Sequence, residues 1–508
     1  MNTPRSRFAF VSPLLVLAVS LNTPTAAIAS TNAETAGRSS ITRLAAEPKQ
    51  APTGICPAQV GSALTQIITR SGLGQTRLGV LVQTQGTGRQ QNLFARNATT
   101  LLIPASNNKV LTTAAALQRL GASYRIRTAV YGSTTGPTLE TLRIIGQGDP
   151  SLTTPQLNSL VQQVSQKGVR QVGQLIGDDT YFRGPATNPN WDPSDLTEAY
   201  AAGINSLILN QNAIGLTLVP QRVGQPLQAR WDDPTDASDW ILENRTVTVS
   251  PSAGESLDTV RSGNTIRLGG QLRAGSESEL VGVAVPNPGN YLVGKFRKLL
   301  TNARIAVTNS TLVKLTPAPP GLVELAAVES PPLSELLFET NQESNNVFAE
   351  ALLKTLGRLQ SPASQNATDS GVAAVKAILT PLGVNPNGIS TVDGSGLAVR
   401  NRISPEALVQ TLQVIAQNRD AAVFRRSLPV AGVSGTLKNR FRNTAAQGVV
   451  FAKTGTITGV VGLSGYVTPP NGPPLVFSIL ANYSGLSTTD VRSAVDQMVV
   501  VLARVRSC

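Results

Sequence analysis

PASNNKVLTTAAAL, residues 104–117, sets a serine and a lysine three positions apart, just where a polar run gives way to helix formers. Read locally, Ser106 is a good helix N-cap and Lys109 an ordinary surface lysine. A second reading comes from helix geometry: residues i and i+3 share a face, so the amine of Lys109 can reach the hydroxyl of Ser106. That pair is a nucleophile with its base. A helix N-terminus carries partial positive charge, which favours a neutral Lys109 and an ionised Ser106. Among the ten lysines of the chain, this is the only Ser-x-x-Lys.

Composition favours the second reading. The chain of 508 residues has no histidine, which excludes Ser-His-Asp and Cys-His catalysis and any zinc site that relies on imidazole. A covalent hydrolase built from this sequence would use lysine as its base. Hydrophobic content of 41% and charged content of 14% describe a folding chain, and the length prior suggests about three domains. The net charge of +13 is scattered, without a basic block or interleaved aromatics, so a nucleic-acid groove is a poor reading. It suits work beside an anionic wall or membrane surface.

The start of the chain addresses location. Arg5 and Arg7 precede an apolar run from Phe8 to Val19, and Ala27-Ile28-Ala29 supplies small residues for a signal peptidase. Cleavage is expected after Ala29, with export to the periplasm or cell envelope. The apolar run is too short for a comfortable span, and no later stretch of about 20 apolar residues exists, so the mature form has no membrane span. Two cysteines, Cys56 and Cys508, flank the folding region. In an exported chain they are expected to be bridged.

Outward from the opening stretch, a helix is expected over 59–68, a hairpin in LGVLVQTQGTGRQQNLFARN, and short strands from Tyr124 onward. A β-rich stretch covers 213–285. Helical spacing returns at NYLVGKFRKLLTN and runs through PPLSELLFETNQESNNVFAEALLKTLGRL. The last hundred residues mix helices with strands around AKTGTITG, LSGYV and PLVFSILAN. LTPAPPG, from Leu315, reads as a connector. The economical organisation is an α/β domain made from both chain ends around a largely β insertion, and terminal cysteines fit it.

Two further motifs follow the first. AKTGT, residues 452–456, contains the only Lys-Thr-Gly. On a cleft strand, Lys453 supplies charge, Thr454 a hydroxyl for a carboxylate, and Gly455 room for close backbone approach. Between it and Ser106 stands Ser344-Asn345-Asn346, leading into a strong helical pattern. Ser-x-x-Lys, Ser-x-Asn and Lys-Thr-Gly, in that order, form the signature of penicillin-recognising serine enzymes. With the long gap between the first two motifs, the chain resembles the class C low-molecular-mass penicillin-binding proteins, D-alanyl-D-alanine carboxypeptidases and endopeptidases. The resemblance covers nearly all of 55–508 and includes GQGDPSL, INSLILNQN, TVDGSGL and SLPVAGVSGTLKNRF.

That resemblance implies an α/β penicillin-recognising domain with two largely β domains inserted. The boundaries it suggests are 1–29 signal peptide, 30–54 leader, 55–122 and 326–508 catalytic domain, 123–212 and 286–325 one inserted domain, and 213–285 the other. It implies Ser106 as acylated nucleophile, Lys109 as general base and Ser344 as proton shuttle to the leaving amine. Asn346 would bind substrate backbone, Lys453 anchor charge, Thr454 meet the terminal carboxylate, and the backbone N–H groups of Ser106 and Thr456 form an oxyanion hole. Asp178 matches an acidic position facing the cleft. After Asp393-Gly394-Ser395-Gly396-Leu397 the family continues Ser-Arg, whereas Ala398 and Val399 stand here with Arg400 one place on. The implied partners are peptidoglycan peptides and acylating β-lactams. No cofactor or metal is implied, and no oligomeric state is assigned. A serine β-lactamase is an alternative that would need a deacylating base, and no Glu-x-x-Leu-Asn segment is present. A non-catalytic wall-binding module is another, against which the retention of three motifs argues.

Overall fold

In the computed structural model, the described residues are 54–508 apart from 87–89, 317 and 484. The expected signal peptide and nearly all of the leader lie outside them.

The sheet that organises the molecule is built from both ends of the chain. Its five antiparallel strands run in the order Val450–Ile457, Val460–Val467, Leu475–Asn482, Arg77–Thr84, Asn92–Arg96. Arg77 pairs with Asn482 and Thr84 with Leu475, so strands nearly four hundred positions apart are neighbours. Alternation along each strand splits the apolar residues between two cores. Leu78, Val80, Val82, Phe477 and Ile479 face the terminal helices Val60–Arg70 and Thr488–Ala503. Leu81, Val476 and Leu480 face the buried helices Asn108–Leu120 and Pro405–Ile415. Cys56 and Cys508 are bonded beside the terminal helices. Ile55 donates to the Arg504 carbonyl and accepts from Arg506, continuing that seam.

A second five-stranded sheet comes from the middle of the chain, in the order Ala306–Val313, Gln171–Asp178, Thr138–Gly146, Arg127–Gly132, Val323–Glu329. Helices Thr154–Gln166 and Pro288–Asn302 share one apolar core with it. The strand Val323–Glu329 pairs with Arg127–Gly132, so the expected boundary at 325/326 falls inside a strand of this sheet. Within this unit sit two smaller sheets around their own core, made by strands such as Ala213–Val219, Thr265–Arg273 and Glu279–Ala284. Ala213 pairs with Ala284, which brings the start and end of that β-rich stretch together.

The expected continuous helical run after Pro331 is broken. It forms Leu333–Gln342 and Asn346–Gln360, with Ser344 at φ 58° between them. Asn345 starts the second helix, its Oδ1 accepting from the Phe348 N–H. A serine held in the left-handed region costs about 1 kcal/mol or more, and such positions cluster at functional sites.

Candidate active site

Ser106 does not cap the helix after it. It sits in a 3₁₀ turn, Ala105–Asn107, that runs directly into the helix Asn108–Leu120, and no side-chain cap bond is made at either start. Ala105 is held at φ 46°. Two glycines let this turn approach its neighbours. A Cβ on Gly455 would stand 2.5 Å from Asn107 Nδ2 and 2.7 Å from the Pro104 carbonyl oxygen. Gly396, at φ 85°, lies against Ala105 so closely that a Cβ would fall on its carbonyl oxygen. The room expected at Gly455 for a substrate is thus used, at least in part, by the chain's own serine turn.

Lys109 is fully buried. Its Nζ lies 3.1 Å from Ser106 Oγ, 2.6 Å from Asn346 Oδ1 and 2.8 Å from the Ser395 carbonyl oxygen. Burial lowers its pKa to about 7, against the opposing pull of Asp393 and then Glu350. A neutral amine has two N–H donors and one lone pair. Asn346 Oδ1 and the Ser395 carbonyl can only accept from it, so they take the two donors. The lone pair is then left for the hydroxyl proton of Ser106. This arrangement suits a general base poised near neutral pH.

Lys453 is also fully buried, on the outermost strand of the five. Its Nζ donates to Ser344 Oγ at 2.8 Å and to the Thr454 carbonyl at 3.1 Å. Burial first, and the charge of Lys109 second, push its pKa well below the ordinary lysine range, with Glu343 opposing. Thr454 has its hydroxyl 2.8 Å from that of Thr436, and Thr456 is exposed two positions further along the same strand.

Hydrogen bonds therefore join Ser106, Lys109 and Asn346, and separately Ser344 and Lys453. Asp178 is a correction. It is buried at the end of its strand, accepting from Arg143 Nε at 2.9 Å and from the N–H and hydroxyl of Thr180. A buried carboxylate committed to a guanidinium does not face a cleft. Asn346 also differs from expectation, because its amide is engaged on both sides: Nδ2 donates to the Tyr200 carbonyl at 3.0 Å.

Several contributors escaped the motif reading. The Ser395 and Tyr200 groups act through backbone, which no side-chain pattern reports. Asp393 gathers Gly396 N–H, Ala398 N–H, Asn401 and Trp191 Nε1, and so shapes the loop that carries Ser395. Glu350 accepts from Gly394 and Ser395 N–H groups. Its signal was present as an acidic residue one turn after Asn346 and one turn before Lys354 in a helix otherwise rich in apolar residues. Among the described residues, no group of three or more His, Cys, Asp or Glu is placed to hold a metal.

The model of the D-Ala-D-Ala carboxypeptidase 3 (S13) family matches residues 60–505. A D-alanyl-D-alanine carboxypeptidase of Actinomadura sp. (strain R39) is 34% identical over 82% of this chain and 80% of its own length. Penicillin-sensitive carboxypeptidase A of Dictyostelium discoideum is 28% identical over 84% and 87%. In fold, the chain is similar to penicillin-binding protein 4 from Haemophilus influenzae, with TM-score 0.72, 24% identity, and coverage of 86% of this chain and 98% of that one.

Proposed function

The chain belongs to the D-Ala-D-Ala carboxypeptidase 3 (S13) family, and from that premise we propose that it hydrolyses peptidoglycan stem peptides through an acyl-enzyme on Ser106. One observation carries the assignment: Ser106 Oγ lies 3.1 Å from the buried amine of Lys109 in a chain without histidine.

Neutral Lys109 takes the hydroxyl proton as Ser106 Oγ bonds to the carbonyl carbon of the penultimate D-Ala. The negative charge that develops on the carbonyl oxygen is met by the backbone N–H groups of Ser106 and Thr456. The C–N bond then breaks, and the departing amine receives a proton through Ser344, backed by Lys453. The proton passed on to the departing amine is the one Lys109 took, so Lys109 is neutral again when water attacks the ester. Lys109 takes a proton from that water and returns it to Ser106 Oγ as the shortened peptide leaves. Thr454 and Lys453 suit the substrate's terminal carboxylate. The same steps on a cross-link make a D,D-endopeptidase. A β-lactam opens along the same path, but its leaving amine stays tethered, so the ester persists.

Fluorescent penicillin should label the wild-type chain at Ser106, and Ser106→Ala should not be labelled. D-Ala should be released from a D-Ala-D-Ala pentapeptide. A label on another residue, or none, overturns the assignment, and rapid release of opened penicillin points to a β-lactamase instead.

The proposed division places residues 55–122 with the C-terminal part as the catalytic domain. The middle, 123–212 and 286 onward, surrounds the β-rich 213–285, and pairing of Val323–Glu329 with Arg127–Gly132 supports a return after Glu329. Export is supported by the Cys56–Cys508 bond, which suits an oxidising compartment; the cleavage expected after Ala29 lies outside the described residues.

A further inference from the structure

We propose that Glu350 is a positioning residue for this reaction: it holds the Ser395 carbonyl where Lys109 needs an acceptor, and so turns the amine lone pair toward Ser106. The inference rests on the Ser106–Lys109 assignment above.

Glu350 is buried on the helix Asn346–Gln360, one turn before the buried Lys354 and beside mostly apolar side chains. Burying a carboxylate there is costly unless hydrogen bonds repay it. Its Oε1 accepts from Gly394 N–H at 2.9 Å and from Ser395 N–H at 2.7 Å. The carbonyl of Ser395 in turn accepts from Lys109 Nζ. The other flank of the loop is held by the helix that bears the base. There Asn108 Nδ2 donates to the Asp393 carbonyl at 2.7 Å, and Thr112 Oγ1 to the Gly394 carbonyl at 2.8 Å.

The spacing gives this arrangement its meaning. Asn346 and Glu350 are one turn apart and share a helix face. Asn346 supplies one acceptor for Lys109 directly, and Glu350 fixes the other through the loop. One rigid helix therefore sets both acceptors, and the lone-pair direction follows. Lys354, one turn further, donates to the Pro185 and Ile204 carbonyls and ties that helix to the middle of the chain.

The test separates reach from charge. Gln at 350 keeps an acceptor oxygen at the same distance and cannot ionise, whereas Asp keeps the carboxyl and withdraws the oxygen by one methylene. Penicillin acylation is followed by stopped flow, resolving the non-covalent binding constant from the acylation rate constant. Glu350→Ala and Glu350→Asp should lower the rate constant by about 100-fold, with binding changed less than about threefold, and Glu350→Gln should recover it to within about tenfold of wild type. If the alanine variant does not fold, the order of Gln above Asp decides. Asp equal to or better than Gln, rates all within about threefold of wild type, or a loss confined to binding would each overturn the proposal. Lys109→Arg run in parallel reads the parent assignment separately. If it acylates, that assignment falls. If it is inactive while the Glu350 series shows the wrong order, only the role of Glu350 falls.

Discussion

At the scale of single residues, the proposed mechanism depends on keeping a lysine uncharged. Free lysine titrates near 10.5, and burial brings Lys109 to about 7. The base is the neutral form, so acylation should rise with pH through about 7 and level off above it; a rate flat from pH 5 to 9 would contradict this. Lys109→Arg stays charged at any accessible pH and should lose at least about 100-fold in acylation, as Ser106→Ala does. The same burial weighs on stability. Between the folded value of about 7 and the unfolded value near 10.5, the unfolded chain binds the extra proton, so this residue's contribution improves as pH rises through that window. Ser106, Lys109, Ser344 and Lys453 were legible because each sits in a short motif whose chemistry is local. Asp178 was misread for the opposite reason: its partner, Arg143, stands on a neighbouring strand, and nothing in the sequence IGDDTYF announces that pairing.

Elements fix what the motifs leave open. Helical periodicity ran unbroken from Leu333 to Leu359 in the sequence, because Glu343, Ser344 and Asn345 are compatible with a helix one at a time. The break appears only when Ser344 is drawn toward Lys453 and Asn345 caps the following helix. The loop with Asp393 was recognisable as a family-like string, yet its work is tertiary, pressing Gly396 onto the turn that holds Ser106. Gly396→Ala should therefore do two things at once. The left-handed φ and the collision with the Ala105 carbonyl should cost at least about 2 kcal/mol in urea unfolding. The displaced turn should also slow penicillin acylation in whatever protein remains folded. A variant with wild-type stability and wild-type acylation would show that the loop does not buttress the serine.

For the whole molecule, the topology was readable in outline and not at its seams. Both ends forming one domain followed from motif order and cysteine placement. The strand Val323–Glu329 was missed because Pro-rich LTPAPPG beside it looked like the exit from the insertion. The β-rich stretch has its own core around Ile214, Trp240, Ile266 and Leu268, and Ala213 stands opposite Ala284. Replacing 214–283 by a short Gly linker should leave penicillin acylation within about tenfold, because such a unit can be removed at neighbouring ends. The excision frees Lys295 from Asp233 and Asp236 and should lower stability. A folded deletion protein without acylation would mean that this stretch helps build the site. The bond between Cys56 and Cys508, 452 positions apart, has a different consequence. It makes the polypeptide from one cysteine to the other a covalent ring. A protease that nicks the middle of the chain, between Ser106 and Ser344, separates the nucleophile and its base from Lys453 along the backbone. It does not release two fragments. The cut ring stays one molecule, and the halves of the five-stranded sheet remain tethered at their far ends, so a cut in the middle of the chain need not disarm the enzyme.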